Sequence, residues 1–534
     1  MALEDKVKGM LEEYPAKTMK NRRKHIFVKD SLLGDQEIEA DTRTVPGIMT
    51  NRGCCYAGCK GVVIGPLKDM VHIVHGPIGC SYYAWGTRRN KAEADDDGKN
   101  YLNYCFSTDM QESDIVFGGE SKLEKACEEA FEIFKPNAMT ISSTCPVGLI
   151  GDDVHAVARR MQAKLGITVF AMSCEGYKGV SQSGGHHIAN NSLMQHVIGK
   201  GEKDISGFKV NILGEYNIGG DGWEIGRILD KIGYTVITIM TGDGSYETMK
   251  DAHKADLNLV QCHRSINYVA NMLETKYGTP WLKVNFIGFN STIEALRNMA
   301  KFFGNEELTA KTEQVIKEEM AEIKDEIEKY RAQCEGKTAF LFVGASRAHH
   351  YQNLLSEIGI ETLAAGYEFA HRDDYEGRKI IPKIKSNADN KNIENITVEK
   401  DEKNYKLYLT PEKYEKLKEE MPLGDYKGMI HDMKDGTILV DDLNHYETEK
   451  MIKFLKPDLF CSGVKDKYVA HKMGVVAKQL HSYDYSGPYA GFKGAVIFAR
   501  DVAAGLTTPT WSYITPPWDK SPILEGELGG EAAC

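Results

Sequence analysis

Short apolar runs alternate with amphipathic stretches along most of the chain, separated by loops of small residues. Ala138-Met-Thr-Ile-Ser-Ser is followed by Thr144-Cys-Pro-Val-Gly, an amphipathic stretch to about Leu165, and Ile167-Thr-Val-Phe-Ala-Met. Phe208-Lys-Val-Asn-Ile-Leu leads through Gly219-Gly-Asp-Gly into Trp223 to Ile232 and then Thr235-Val-Ile-Thr-Ile. Thr338-Ala-Phe-Leu-Phe-Val leads through Gly344-Ala-Ser-Arg into a helical stretch ending near Ile358 and then Glu361-Thr-Leu-Ala-Ala. Each unit reads as strand, helix, strand, and three separated sets predict an α/β chain of three doubly wound, Rossmann-like domains with parallel sheets. The expected domains are 1–188, 189–337 and 338–496, with 497–534 packing on the first domain or on a partner chain.

Two stretches break this rhythm. Residues 306–334 are charged, with Ile316, Met320, Ile323, Ile327 and Tyr330 spaced by 3 or 4, which predicts a solvated helix with one core stripe, connecting domains. Residues 385–435 are rich in Lys, Glu and Asn and read as a surface insertion rather than a core element. Gly220-x-Gly222 with Gly226 has the wrong spacing for a dinucleotide fingerprint, and a strand-to-helix turn is the better reading.

A chain of 534 residues suits about three domains, and a net charge of −11 argues against nucleic-acid phosphates or anionic lipid as partners. No apolar run approaches the ~20 residues of a membrane span, and Met-Ala-Leu-Glu-Asp-Lys lacks the basic-then-apolar order of a signal peptide, so a cytoplasmic protein is expected. In a reducing compartment the 12 cysteines are core residues, nucleophiles or metal ligands rather than disulfides.

Ligands of open parallel sheets bind beyond the carboxyl ends of the strands. Cys80, Cys145, Cys262, Cys461 and His481 all follow or end apolar runs, and Cys54 lies with Cys55 and Cys59 in a Gly-rich loop before Val62-Val-Ile. Structural zinc favours paired knuckles, whereas thiolates this far apart suit an iron–sulfur cluster; buried structural cysteine stays open for any one of them. His186-His187 after Gly184-Gly185 read as a metal site, a proton-transfer pair, or one core and one surface imidazole. Arg88-Arg89, Arg347 and Lys465 also fall in strand-end loops, where cations would confront a buried anion unless they are ordinary surface charge.

Seven strings in order closely resemble the α-subunit family of nitrogenase molybdenum–iron proteins: Arg52-Gly-Cys54 with Tyr56-Ala-Gly, His75-Gly-Pro-Ile-Gly-Cys, Cys145-Pro-Val-Gly-Leu-Ile-Gly-Asp-Asp, Ser181-Gln-Ser-Gly-Gly-His-His-Ile-Ala-Asn, Cys262-His-Arg-Ser-Ile-Asn-Tyr, Gly366-Tyr-Glu-Phe-Ala-His and His481-Ser-Tyr-Asp-Tyr-Ser-Gly-Pro-Tyr. The resemblance runs from about residue 40 to 515, interrupted by the insertion, and implies that the three domains surround a buried metallocluster cleft. It implies that Cys54, Cys80 and Cys145 ligate an [8Fe-7S] P-cluster shared with a β subunit in an α₂β₂ heterotetramer. It assigns Cys262 and His481 as the two protein ligands of an iron–molybdenum cofactor, [7Fe-Mo-9S-C-homocitrate]. Arg88 and Arg347 match cofactor-facing arginines, and Lys465 and Gln182 match positions near homocitrate; Ser265, Glu368 and Phe369 lie in the matched motifs and join the cofactor-binding set. His186 matches a residue that hydrogen-bonds a cofactor sulfide and helps deliver protons, and Val62 matches a side chain that limits access to the reactive iron face.

The implied reaction is reduction of dinitrogen to ammonia with hydrogen evolution, fed by a separate MgATP-hydrolysing iron protein. This chain itself has no G-x-x-x-x-G-K-[ST] string. A cofactor-assembly scaffold, a vanadium or iron-only nitrogenase subunit and a dark-operative protochlorophyllide-reductase-type subunit are the rivals, and the joint presence of Cys262 and His481 favours the catalytic subunit. Ala348-His349 stands where Pro-Arg is usual, Gly184 where Leu is common and Ala490 where His is common, while Cys55 and Cys59 are extra and expected to be non-ligands. The insertion resembles that of a subgroup from anaerobes.

Overall fold

The computed structural model describes residues 7, 9, 11–40, 53–86, 90–94, 97–179, 182–262, 266–343, 347–367, 370, 372–378, 396–462, 466–480 and 486–516. Among them, three sheets account for the named strands. In the first, β2 (Met70–His75), β3 (Ala138–Ser143) and β4 (Thr168–Met172) lie side by side in chain order. The second holds β5 (Phe208–Glu215), β6 (Tyr234–Thr241), β7 (Leu257–Val260) and β8 (Trp281–Lys283) in the order β6-β5-β7-β8. The third holds β1 (Ile26–Val28), β9 (Thr338–Phe342), β10 (Glu361–Gly366), β11 (Ile438–Val440), β12 (Leu459–Ser462) and β13 (Val476–Gln479) in the order β1-β11-β10-β9-β12-β13. Every pairing is parallel except β1 with β11. Helices cover both faces of such sheets, which is why β2 and β3 are apolar-rich and buried at every position.

The connections fix where ligands belong. From β5 the chain moves to β6 on one side and then to β7 on the other, so a crevice opens beyond the carboxyl ends of β5 and β7. In the third sheet the same reversal falls between β9 and β12. The loops after these four strands, and after β13 that pairs in parallel with β12, are therefore ones that can approach a shared ligand.

The predicted connector is a helix, Glu306–Cys334, started by the Asn305 side chain accepting from Leu308 N at 2.8 Å. Ile316, Ile323 and Ile327 are buried in the largest core cluster, with Met320 and Tyr330 packed against it. Its polar side reaches the second sheet's helices as well, since buried Glu319 receives both Arg227 Nη1 at 2.8 Å and Nη2 at 2.7 Å.

Two expectations are corrected here. The polar stretch after residue 395 is not merely a surface insertion: Leu409, Leu417, Met421, Leu423, Met429 and Ile430 enter the main core, and Leu423 bridges Leu282 at the open edge of β8. Lys283 N donates to Pro422 O at 3.0 Å and Gly424 N to Trp281 O at 2.7 Å, so this stretch caps an edge strand whose backbone would otherwise be left unpaired. The chain before residue 40, grouped by sequence with the first domain, instead packs on the third sheet through β1 and the buried Arg22–Glu447 pair at 2.7 Å. No helix among the described residues is long and apolar enough to cross a membrane.

Candidate metal-cluster sites

Three loops bring Cys54, Cys80 and Cys145 to one place at the edge of the first sheet. Cys80 is in the first turn of helix Ile78–Gly86 after β2, and Cys145 opens helix Cys145–Ile150 after β3. The loops are tied together: Thr144 Oγ1 and Thr144 N donate to His75 O at 2.9 and 3.2 Å. Gly176 marks the convergence, because a Cβ there would lie 3.0 Å from Cys145 Sγ and 3.6 Å from Cys54 Sγ. Tyr56 OH donates to Cys80 O at 3.0 Å and holds the third loop against the second. The Cys80 thiol is raised by burial first and then by the proximity of Cys54 and Cys145, which places all three within electrostatic reach of each other.

Cys54 and Cys145 are exposed, and so are Ile78, Tyr82, Tyr83, Leu149 and Tyr177 around them. An apolar, aromatic rim around exposed thiols is the composition of a protein–protein contact. Cys55 and Cys59, by contrast, are buried in the apolar core, with Cys59 Sγ 3.5 Å from Met172 Sδ.

The second constellation lies in the crevice between the second and third sheets. Cys262 follows β7 and is buried. Gly214, on neighbouring β5, has φ +78°, and a Cβ there would lie 2.6 Å from Cys262 O, 2.9 Å from its Cβ and 3.0 Å from its N. Only glycine lets β5 pass this close to the cysteine. From the third sheet, buried Arg347 donates Nη2 to Gly214 O at 3.3 Å and to Glu215 Oε2 at 3.1 Å. Glu215 Oε1 accepts from the N–H groups of Tyr216 and Asn217, each at 2.9 Å, so the carboxylate is fully engaged.

Glycine contacts also set a further helix against the segment that follows Cys54. Helix Gln182–His196 lies against the π-helical segment Ala57–Ile64; a Cβ on Gly58 would meet the Gln182 backbone, and one on Gly185 would lie 3.0 Å from the Cys55 carbonyl carbon. Close packing sets Gln182 beside Gly53, next to Cys54, and puts the buried His186 on the same helix as Gln182. His187 stacks edge-on to Tyr268, centroids 4.6 Å apart. Val62, on the π-helical segment, is half-buried against the same core.

Arg88, Ser265, Glu368, Phe369, Lys465 and His481 lie outside the described residues. Cys461, left open by its place at the end of an apolar run, lies within β12, fully buried, its thiol pushed up to about 12 by burial, which is the position of a structural core cysteine. His349 is buried, its ring 4.2 Å from that of His350 and its Nε2 3.7 Å from Asp432 Oδ2, which also takes Lys283 Nζ at 2.5 Å. Sequence reasoning missed Glu215 and Asp221. Both lie just beyond or at the carboxyl end of β5, and the strand-end rule would have found them had it been applied to carboxylates as well as to sulfur, imidazole and cations.

Doubly wound parallel sheets with reactive side chains gathered beyond their carboxyl ends define an α/β enzyme, and its relatives make it an oxidoreductase. A family model described as nitrogenase component 1 type oxidoreductase matches residues 54–507, and the chain belongs to that family. The nitrogenase molybdenum-iron protein alpha chain of Clostridium pasteurianum is 57% identical over 526 residues, 98% of each chain. That of Methanosarcina barkeri is 57% identical over 513 residues, 96% of each. A solved structure, nitrogenase Cp1 at pH 6.5, superposes with a TM-score of 0.93 at 57% identity, covering 96% of this chain and 100% of that one.

Proposed function

We propose that this chain is the α-type catalytic subunit of a molybdenum nitrogenase, reducing N2 to ammonia with H2 evolution. Electrons would come from a separate MgATP-hydrolysing iron protein through an [8Fe-7S] P-cluster. The observation that carries the reading is the pairing of two donor sets: three thiols converging at an exposed aromatic rim, and one buried cysteine packed against Gly214, whose carbonyl takes a buried guanidinium at a sheet reversal.

The donor chemistry fits both groups. Soft thiolates suit iron–sulfur ligation, and three are too few for eight irons, so a β chain docking on the rim of Tyr82, Tyr83, Leu149 and Tyr177 would supply the rest, in an α₂β₂ assembly. In the crevice, Cys262 and His481 would hold the iron–molybdenum cofactor, whose bound metals supply the multi-electron reduction. Arg347 and Arg88 would supply directional charge-assisted hydrogen bonds to this anionic group, with Lys465, Gln182, Ser265, Glu368 and Phe369 lining it and its homocitrate. His186 would hold and pass a proton, and Val62 would restrict approach. The three sheets would mark three domains, with boundaries near 188 and 337, and the protein would act in the cytoplasm.

Metal analysis of the purified complex tests this. Molybdenum retained with iron in the wild type, molybdenum lost in Cys262→Ala, and cluster spectra altered in Cys145→Ala are expected. Iron with vanadium, or iron alone, would instead favour a vanadium or iron-only subunit or an assembly scaffold.

A further inference from the structure

The crevice is spanned twice, in opposite directions. Arg347 crosses from the third sheet to the carbonyl of Gly214 and the carboxylate of Glu215 on the second. In return, Asp221 crosses from the second. It is the first residue of helix Asp221–Ile232, its side chain is fully buried, and its Oδ1 accepts Tyr489 N at 2.6 Å and Ala490 N at 3.0 Å.

Three further contacts reinforce this crossing. Gly491 N donates to Phe286 O at 2.7 Å, Ala490 bridges Ile287, and Gly491, at φ +73°, sits where a Cβ would be 2.8 Å from Ile228 Cδ1. The loop entering helix Gly491–Leu506 is thus bound to the second sheet, although the chain reaching it comes from β13 of the third. Burying a carboxylate is costly unless its hydrogen bonds repay it. Here one oxygen is repaid by two backbone N–H groups, while Oδ2 has no hydrogen-bond partner among the described residues.

We propose that Asp221 is a positioning residue: by fixing Tyr489 and Ala490 to the second sheet, it sets the span between the segment that carries His481 and the strand end that carries Cys262. This deepens the proposed function and rests on it for the identity of the two ligands. The span across the crevice would be held by two buried side chains, Arg347 on the carbonyl of Gly214 and Asp221 on the N–H groups of the loop that follows β13.

The test compares Asp221→Asn, whose amide oxygen can accept the same two N–H groups, with Asp221→Leu, of similar volume and no acceptor. Both variants are made in the full α chain purified with its β chain. Hydrogen exchange of the Tyr489 and Ala490 amides should speed up at least tenfold in Asp221→Leu and change less than threefold in Asp221→Asn. Molybdenum per α chain should fall at least fivefold in Asp221→Leu, with an altered cofactor resonance signal in what remains, and should be retained in Asp221→Asn. Iron at the three-cysteine site should be unchanged in both. Unchanged exchange in Asp221→Leu, or equal molybdenum loss in the two variants, would overturn the proposal. A wild-type complex without molybdenum would overturn the functional reading alone, since the exchange measurement needs no cofactor.

Discussion

Gly214→Ala should disable the crevice while leaving the rest of the molecule folded. The new Cβ would lie 2.6 Å from Cys262 O and 2.9 Å from Cys262 Cβ, whereas nonbonded carbons rest ~3.5–4.0 Å apart, so Cys262 or β5 must move by ~0.5–1 Å. Alanine at φ +78° adds ~1–2 kcal/mol of backbone strain, and forced overpacking ~1–3 kcal/mol, a total of ~2–5 kcal/mol. A misplacement of ~1 Å at a reacting centre can cost ~100-fold in rate. The assay is molybdenum and iron per α chain, thermal midpoint and N2 reduction, with Gly226→Ala as control. Gly226 lies on helix Asp221–Ile232 with nothing within 4 Å of its would-be Cβ, so alanine there should be neutral or stabilise by ~0.5–1 kcal/mol. Gly214→Ala should lose molybdenum and activity, lower the midpoint by several degrees and keep the iron bound through Cys54, Cys80 and Cys145. Wild-type molybdenum and midpoint in Gly214→Ala, or equal damage from Gly226→Ala, would refute the argument.

Arg347→Gln should destabilise the complex by ~3–5 kcal/mol, because it leaves buried Glu215 without its cation; Arg347→Gln with Glu215→Gln should recover much of that loss in a denaturation experiment. Asp221 should make stability fall with rising pH. Burial first, and then Glu215, push its carboxyl from 3.8 up to about 7, so its contribution is fully present below 3.8 and is lost as pH rises through about 7. The slope of stability against pH between pH 4 and 7 in the metal-free complex should flatten in Asp221→Asn, and an unchanged slope would count against a proton held there. Leu423→Ala should cost ~2–5 kcal/mol and raise amide exchange in β8, because Leu423 is fully buried on that edge; a change within ~0.5 kcal/mol would mean the capping stretch is dispensable.

The parallel strands were legible because burial on both faces writes them as continuous apolar runs, and strand-end sulfur was legible because apolar runs end visibly. Cys80, Cys145 and Cys262 all follow strands as read. The stretch after residue 395 was misread because Leu409, Leu417, Met421 and Leu423 are sparse among lysines and glutamates, and average polarity hides a narrow stripe that docks on an edge strand. The antiparallel β1 was not legible either, since three residues carry too little pattern to name a partner 410 or more positions away. Contacts such as Gly185 against Cys55 and Asp221 against Ala490 depend on how separate elements meet. No local periodicity encodes that, although the glycines themselves were a signal of close approach.

Two distinct metal groups are proposed to occupy these two places in one chain. Anomalous diffraction from crystals of the α–β complex, collected at the iron and molybdenum edges, tests it most directly. Iron peaks are predicted within bonding distance of the sulfurs of Cys54, Cys80, Cys145 and Cys262, with one molybdenum peak per α chain in the crevice beyond β5 and β7, on the His481 side of the iron at Cys262. Iron confined to the three-cysteine rim, with no molybdenum between Cys262 and His481, would contradict it.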